Sequence, residues 1–371
     1  MIITGQAQQL ILDDVPFKVE AIDLSLSSSK KSSYTKAKKL CEADAATPFD
    51  LAVGPLIRCK VIKLAPKEHI LMLNMHHIIS DDWSVNILLK ELFSIADALH
   101  EGKQPNLPAL PVQYLDYSIW QKQWLVQGGE LKRQLEYWKQ KLTGVPESLD
   151  LPTDYPRPGI QSFKGASQSF TIDAEQTALL KNTAEQHGCT LYMMLLAIFK
   201  VQLYRYTGQE DICIGSVISN RQLEETNGLI GMFVNTLALR TLLDGNDTFE
   251  TVLSKVKATC VDAYKHQDTP FEKIVDAVQP RRNLAVNPLF QIMVSQNIPL
   301  SLPEQDIELI GLERNSSKFD MTVEFTESPN GLEGIIEYCT VLFKQDTIER
   351  MANNFTAPVR GNNSQCRCQD L

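Results

Sequence analysis

The sequence predicts a mixed α/β (α+β) fold divided into two lobes. Three observations carry that expectation. Segments with the two-residue period of strands and segments with helical period follow one another along the chain. At 371 residues the chain is too long for one ordinary hydrophobic core. The stretch Leu151-Pro152-Thr153-Asp154-Tyr155-Pro156-Arg157-Pro158-Gly159 has three prolines and a glycine. It suits neither a helix nor a central strand and marks an extended connector. The reading therefore sets a first lobe at residues 1–150, a connector at 151–165, a second lobe at 166–355 and a tail at 356–371. The tail is polar and aperiodic and is expected to be disordered.

In the first lobe, Gln6 to Leu12 and Phe17 to Ile22 read as strands around the turn Asp13-Asp14-Val15-Pro16. Ser33 to Ala46 reads as a helix and Leu56 to Leu64 as a strand. The apolar run Glu68 to Met75 reads as a buried strand. Helices are expected from Gln113 to Gln121, with Tyr114, Tyr117, Trp120 and Trp124 as a core-packing stripe, and from Leu131 to Leu142. In the second lobe, Ser167 to Ile172 reads as a strand. Asp173 and Thr190 read as N-caps of the two helices that follow, the second apolar nearly all round. Strands are expected at 211–217, 233–239, 290–294, 307–312, 319–325 and 334–338. A helix is expected at 249–265, and a closing one at 347–355. Thr269, Pro270 and Glu272 read as a capping box with its favoured proline, which makes His266 a helix-end residue.

Chemistry concentrates in His76-His77-Ile78-Ile79-Ser80-Asp81-Asp82-Trp83-Ser84. The histidines stand where a strand ends. Val85, Leu88, Leu89, Leu92 and Phe93 then recur at helical spacing. Neighbouring strand side chains point to opposite faces, so only one of His76 and His77 faces a given cavity. That one is a natural acid, base or proton holder near neutral pH. Asp81 and Ser84 stand at a helix start, where N–H groups and the dipole favour a carboxylate. No metal is expected, because the histidines diverge and no neighbouring Cys or Glu completes a ligand set.

Composition narrows the function. A net charge of −9 argues against nucleic acid as a partner. The first residues have neither the basic flank nor the apolar core of a signal peptide, and no apolar run reaches membrane-spanning length. Cys41, Cys59, Cys189, Cys213, Cys260 and Cys339 are scattered, as expected of free, buried thiols in the cytoplasm. Cys366 and Cys368 fit no zinc spacing.

The double histidine with Asp81 and Asp82-Trp83-Ser84 resembles the central motif of condensation domains of nonribosomal peptide synthetases, relatives of chloramphenicol acetyltransferase. Further strings resemble that family in the same order. They are Phe49-Asp50-Leu51 with Gly54-Pro55-Leu56-Ile57-Arg58, Tyr114-Leu115-Asp116-Tyr117 with Trp120, and Leu151 to Pro158. Ile230-Gly231-Met232-Phe233-Val234-Asn235-Thr236, Gln267-Asp268-Thr269-Pro270-Phe271-Glu272 and Arg282 with Pro288-Leu289 follow. The resemblance covers residues 6–355. Three departures stand out. The family opens with several dozen residues, an Arg-His-Glu segment among them, that nothing here matches, so the chain reads as truncated at the N-terminus. Asp82 replaces the usual glycine, which adds a side chain and a negative charge at the site mouth. Asn283 and Ala285 replace an Asp and a Ser.

The resemblance implies two acyltransferase-like lobes in a V-shaped pseudo-dimer with a central tunnel and His77 near its middle. It implies amide formation between donor and acceptor thioesters delivered on phosphopantetheine by upstream and downstream peptidyl carrier domains, beside an adenylation domain. No cofactor is expected on this domain itself, and no nucleic acid or membrane as partner. His77 takes the catalytic role. His76, Asp81, Asp82, Ser84 and Arg282 shape the site, and Trp83 and Asn235 are expected along the tunnel. The family pairs its motif Asp with an arginine. Rival readings are an inactive remnant that only binds carriers or neighbouring domains, and a free-standing acyltransferase. An epimerisation domain lacks the Pro-Phe-Glu and Asn-Pro-Leu strings, and a heterocyclisation domain does not keep the histidine pair.

Overall fold

A computed structural model describes residues 2–3, 6–12, 14–26, 29–278, 283–300, 302, 307–311 and 315–360, with the backbone alone for 2–3, 6–7 and 356–360. Contacts divide the chain into two compact units. The first comprises Met1–Asp97, Ile230–Met232 and Pro303–Leu312, and the second the remainder. This partition differs from the one set at residue 150. The helices that precede the connector group with the second unit.

The first unit opens with a two-residue antiparallel pair, β1 (Ile2–Ile3) and β2 (Gln6–Ala7). Residues 8–12, expected to continue a strand, form none, and Leu10, Ile11 and Leu12 are exposed. β-propensity makes a strand only where a cross-strand partner is supplied. β3 (Val19–Asp23) pairs in parallel with β4 (Ile57–Ala65), and β4 pairs antiparallel with β5 (Glu68–Met75). α1 (Lys30–Ala45) begins three residues before Ser33 because the Ser29 hydroxyl accepts the Ser32 N–H at 3.2 Å. Its Ala37 and Cys41 form the core with Ile62, Leu64 and Met72 of the sheet. Asp44, buried at the end of α1, accepts from Arg58 Nε and Asn74 Nδ2, both at 2.9 Å, and so ties the helix to β4 and β5. These bonds fix the end of β5, and His76 N–H adds one more rung to Leu56 O at 3.0 Å. α2 (Asp82–His100) follows.

α3 (Tyr114–Lys122) runs into a π-helical turn at Gln123–Gln127, and α4 (Glu130–Leu142) follows. The aromatic stripe divides. Tyr117 is buried against Phe233 at 4.7 Å, whereas Trp120 is 41% exposed and stacks on Trp124. α4 belongs to the second unit through its buried face. Trp138 Nε1 donates to His266 O at 2.8 Å, and Gln134 Nε2 donates to Asp268 Oδ2 at 2.9 Å.

The second unit is built on β6 (Gly165–Asp173), β7 (Asp211–Ile218), β8 (Asn235–Leu242), β9 (Ile292–Asn297), β10 (Met321–Ser328) and β11 (Gly331–Cys339). Their order is β6-β11-β10-β9-β7-β8, with β9 parallel to both β10 and β7. Residues 307–311, expected as a strand, have no regular structure. The helices are α5 (Ala174–Gln186), α6 (Leu191–Thr207), α7 (Phe249–Tyr264), α8 (Phe271–Val278) and α9 (Gln345–Arg360). Asp173 and Thr190 cap α5 and α6 as their sequence positions predict, accepting from Gln176 N at 2.8 Å and Met193 N at 3.2 Å. α6 is buried from Met193 to Leu203, in keeping with its all-round apolar sequence.

Candidate active site

β5 stops at Met75, and the motif leaves it by a sharp change of path. His76 is still extended, with φ −72° and ψ 135°, and His77–Ile79 form one three-ten turn. Alternation along a strand therefore does not separate the two histidines; the turn does. His76 Nδ1 accepts the Ile78 N–H at 3.0 Å, and the ring meets Phe49 edge-on at 6.1 Å. His77 Nδ1 lies 2.7 Å from Ser80 O. A carbonyl only accepts, so His77 Nδ1 carries the hydrogen. In the neutral ring the lone pair is then on Nε2. His76 is the opposite tautomer, with its hydrogen on Nε2. His77 is exposed and His76 half-buried.

The other end of the loop is anchored by Asp81, which is 3% exposed and stands just before α2. Its Oδ1 accepts the Ser84 N–H at 2.8 Å, and its carbonyl accepts the Val85 N–H at 2.9 Å. It is thus the N-cap of α2. Ser84 is fully buried. Its Oγ lies 2.7 Å from Asp81 Oδ1 and 2.8 Å from Gly231 O, and it accepts the Gly231 N–H at 3.0 Å.

Asp82, the first residue of α2, is exposed. Helical backbone there makes no demand for glycine; among the described residues, the non-glycine residues with positive φ are Asn220 and Leu289. A carboxylate in the first turn also suits the helix dipole. Trp83 follows, half-buried. His76, His77, Asp81, Asp82, Trp83 and Ser84 are brought together in the first unit. Arg282 lies outside the described residues.

Asn235 opens β8 in the second unit and has its amide fully engaged. Nδ2 donates to Gln267 O at 2.8 Å and Thr269 O at 2.7 Å. Oδ1 accepts from Thr236 N at 2.9 Å and Phe271 N at 3.3 Å. That side chain holds the 267–271 loop. The expected capping box is not formed: the Thr269 N–H, which the box would send to Glu272, goes with the hydroxyl to Gln134 Oε1, both at 3.2 Å, and Asn235 serves the first N–H of α8. His266 Nδ1 faces Asp262 O at 2.8 Å and its ring stacks on Tyr137 at 3.8 Å, as befits a helix-end residue. On α4, hydrogen bonds from Arg133 and Gln134 hold the Glu130 carboxyl down to about 2.

Two participants escaped sequence reasoning. Gly231 enters through its backbone, which no side-chain pattern announces. Arg221 lies over the Phe233 ring at 3.9 Å and donates to Leu229 O at 2.9 Å, which fixes the chain just before the Ile-Gly string. Its only sequence signal is a lone cation shortly before that string. Among the described residues, no three His, Cys, Asp or Glu side chains are placed to hold a metal ion, and no helix is long and apolar enough to cross a membrane.

Known proteins share this architecture. Residues 1–367 match the Condensation domain family, which carries the likeness beyond the span of residues 6–355 read from the sequence. A linear gramicidin synthase polypeptide of Brevibacillus parabrevis is 46% identical over 357 residues, which is 95% of this chain and 5% of that protein. The chain thus spans about a twentieth of that relative's length. The X-domain from teicoplanin biosynthesis superposes with a TM-score of 0.84 at 25% identity, over 98% of this chain and 83% of its own. A four-domain nonribosomal peptide synthetase bound to AMP and glycine superposes with a TM-score of 0.81 at 24% identity, over 97% of this chain and 28% of its own. That last likeness is one of fold.

Proposed function

The chain belongs to the condensation-domain family and has its chloramphenicol acetyltransferase-like α/β fold, and from that premise we propose that it forms an amide between two carrier-bound thioesters. The donor is an acyl or peptidyl group and the acceptor an aminoacyl group. Each hangs on phosphopantetheine from a peptidyl carrier domain, one upstream and one downstream, beside an adenylation domain. The setting proposed for this assembly is the cytoplasm.

One observation carries the reading. His77 is exposed and has its Nδ1–H committed to Ser80 O at 2.7 Å, which leaves the lone pair of the neutral ring on Nε2. The acceptor amine attacks the donor carbonyl carbon and a C–N bond forms. His77 Nε2 takes the proton from the nitrogen. As the C–S bond breaks, the imidazolium returns that proton to the departing sulfur. Placing amine and thioester side by side supplies much of the acceleration, since thioester aminolysis runs downhill. His76 presents the other tautomer and buttresses the turn.

The test is mass spectrometry of products from pairs of carrier proteins loaded with aminoacyl groups. His77→Ala is expected to abolish amide formation, a loss of about a hundredfold or more, with an unchanged circular dichroism spectrum. His76→Ala is expected to lower the melting temperature. Wild-type turnover in His77→Ala refutes the role. Product from coenzyme A thioesters without carriers makes the chain a free-standing acyltransferase. Carrier binding without product makes it an inactive platform.

A further inference from the structure

Ser84 does more than lie beside a cap. Three polar groups of two distant segments converge on its buried hydroxyl: Asp81 Oδ1 at 2.7 Å, Gly231 O at 2.8 Å and Gly231 N at 3.0 Å. A hydroxyl has one proton, so it donates to one of the two oxygens at a time while accepting the Gly231 N–H. Residues 230–232 group with the first unit although the chain on both sides belongs to the second. This hydroxyl ties them to the motif.

The contact reaches the imidazole along a short covalent path. Ser80 O, which orients His77, lies in the same planar peptide unit as the nitrogen of Asp81. Ser80 and Asp81 are 5% and 3% exposed, so neither has slack. A shift of the Asp81 backbone turns that peptide plane and with it the carbonyl that fixes the ring.

We propose that Ser84 is a positioning residue, which locks the 230–232 segment to the Asp81 cap and thereby holds His77 in its Nδ1–H tautomer with the lone pair on Nε2. The proposal rests on the function proposed above for its kinetic consequence, but not for its structural one. Asp81 still caps α2 through the Ser84 backbone N–H when the hydroxyl is gone, so Ser84→Ala is expected to fold with a lower melting temperature.

The test has two arms. In the first, the protein is labelled with ¹⁵N-histidine, and His77 is assigned by the signal lost in His77→Ala. Wild type is expected to show His77 as the Nδ1–H tautomer, and Ser84→Ala a mixture of both. Hydrogen exchange at the Gly231 amide is expected to quicken about tenfold or more. In the second arm, amide formation from carriers loaded with alanyl and leucyl groups is followed. The expected outcome is a kcat about ten- to a hundredfold lower with KM within about twofold. Ser84→Cys fills the same space with a weaker hydrogen-bonding group; it is expected to shift each readout the same way by less, and decides the matter should Ser84→Ala not fold. An unchanged His77 spectrum in the folded variant overturns the proposal. So does wild-type kcat, or a loss confined to KM. A wild-type protein that makes no amide refutes the functional reading alone, and the tautomer spectrum then decides for or against the lock.

Discussion

His76 and His77 share one peptide bond, yet Nδ1 accepts in the first and donates in the second. The sequence made the pair legible, and the difference between its members too, but for another reason. Strand alternation expects opposite faces, whereas the rings are separated by a three-ten turn that no periodicity marks. Lys200 was less legible still, a lone cation in an apolar helix. It is fully buried, and its ammonium donates to Leu239 O at 2.6 Å, Thr241 Oγ1 at 2.8 Å and Ile212 O at 3.3 Å. Burial pushes it down to about 8 from the ordinary 10.5. Below pH 8 the folded and unfolded chains both hold this proton, and the cost of burying the charge is present in full. Between 8 and 10.5 the unfolded chain binds more protons, so stability rises with pH. The rise attributable to Lys200 between pH 7.5 and pH 10 is roughly 2 kcal/mol. It is read as the difference in urea unfolding free energy between wild type and Lys200→Met at pH 7.5 and pH 10. Parallel pH curves for the two proteins contradict it.

At the scale of elements, local signals were read correctly where the cap lies within a turn of its helix and missed where it comes from afar. Asp173 and Thr190 are of the first kind. α8 is of the second: Thr269 and Glu272 spell a capping box, but a buried Gln134 claims the threonine hydroxyl, and Asn235 on β8 supplies the acceptor. Residues 307–311 likewise form no strand despite their sequence, since propensity alone does not make one. Asn235 stitches β8 to the loop and to α8 by three bonds, and a fourth goes to its own neighbour Thr236. Asn235→Ala is expected to cost about 2–4 kcal/mol in urea unfolding, from the groups it leaves unsatisfied. Asn235→Asp keeps both acceptors but turns a carboxylate toward Gln267 O and Thr269 O, and is expected to cost at least as much. An aspartate variant as stable as wild type would show that the two donated bonds contribute nothing.

At the scale of the molecule, the motif strings carried the family and the fold class. The lobe boundary was harder to read. A proline-rich stretch records where secondary structure lapses, not where contacts do, and here contacts divide the chain at Asp97 and Ala98 instead. The connector itself is fastened to the second unit. Arg157 pairs through both of its terminal nitrogens with Asp320, which is 4% exposed. Asp154 accepts from Lys344 N at 2.8 Å and Thr347 Oγ1 at 3.0 Å, and the Lys344 N–H holds its carboxyl below the usual range. A bidentate pair of this kind is strong when intact and costly when halved, because the surviving charge stays buried. Arg157→Ala is therefore expected to lower stability by about 3–5 kcal/mol and to speed hydrogen exchange across residues 154–161. Arg157→Ala with Asp320→Asn, which removes the orphaned charge, is expected to recover part of the stability while exchange stays fast. If the double variant is no more stable than the single one, the cost lies in lost packing of the arginine stem. If exchange is unchanged in both, Asp154 alone suffices to fasten the connector.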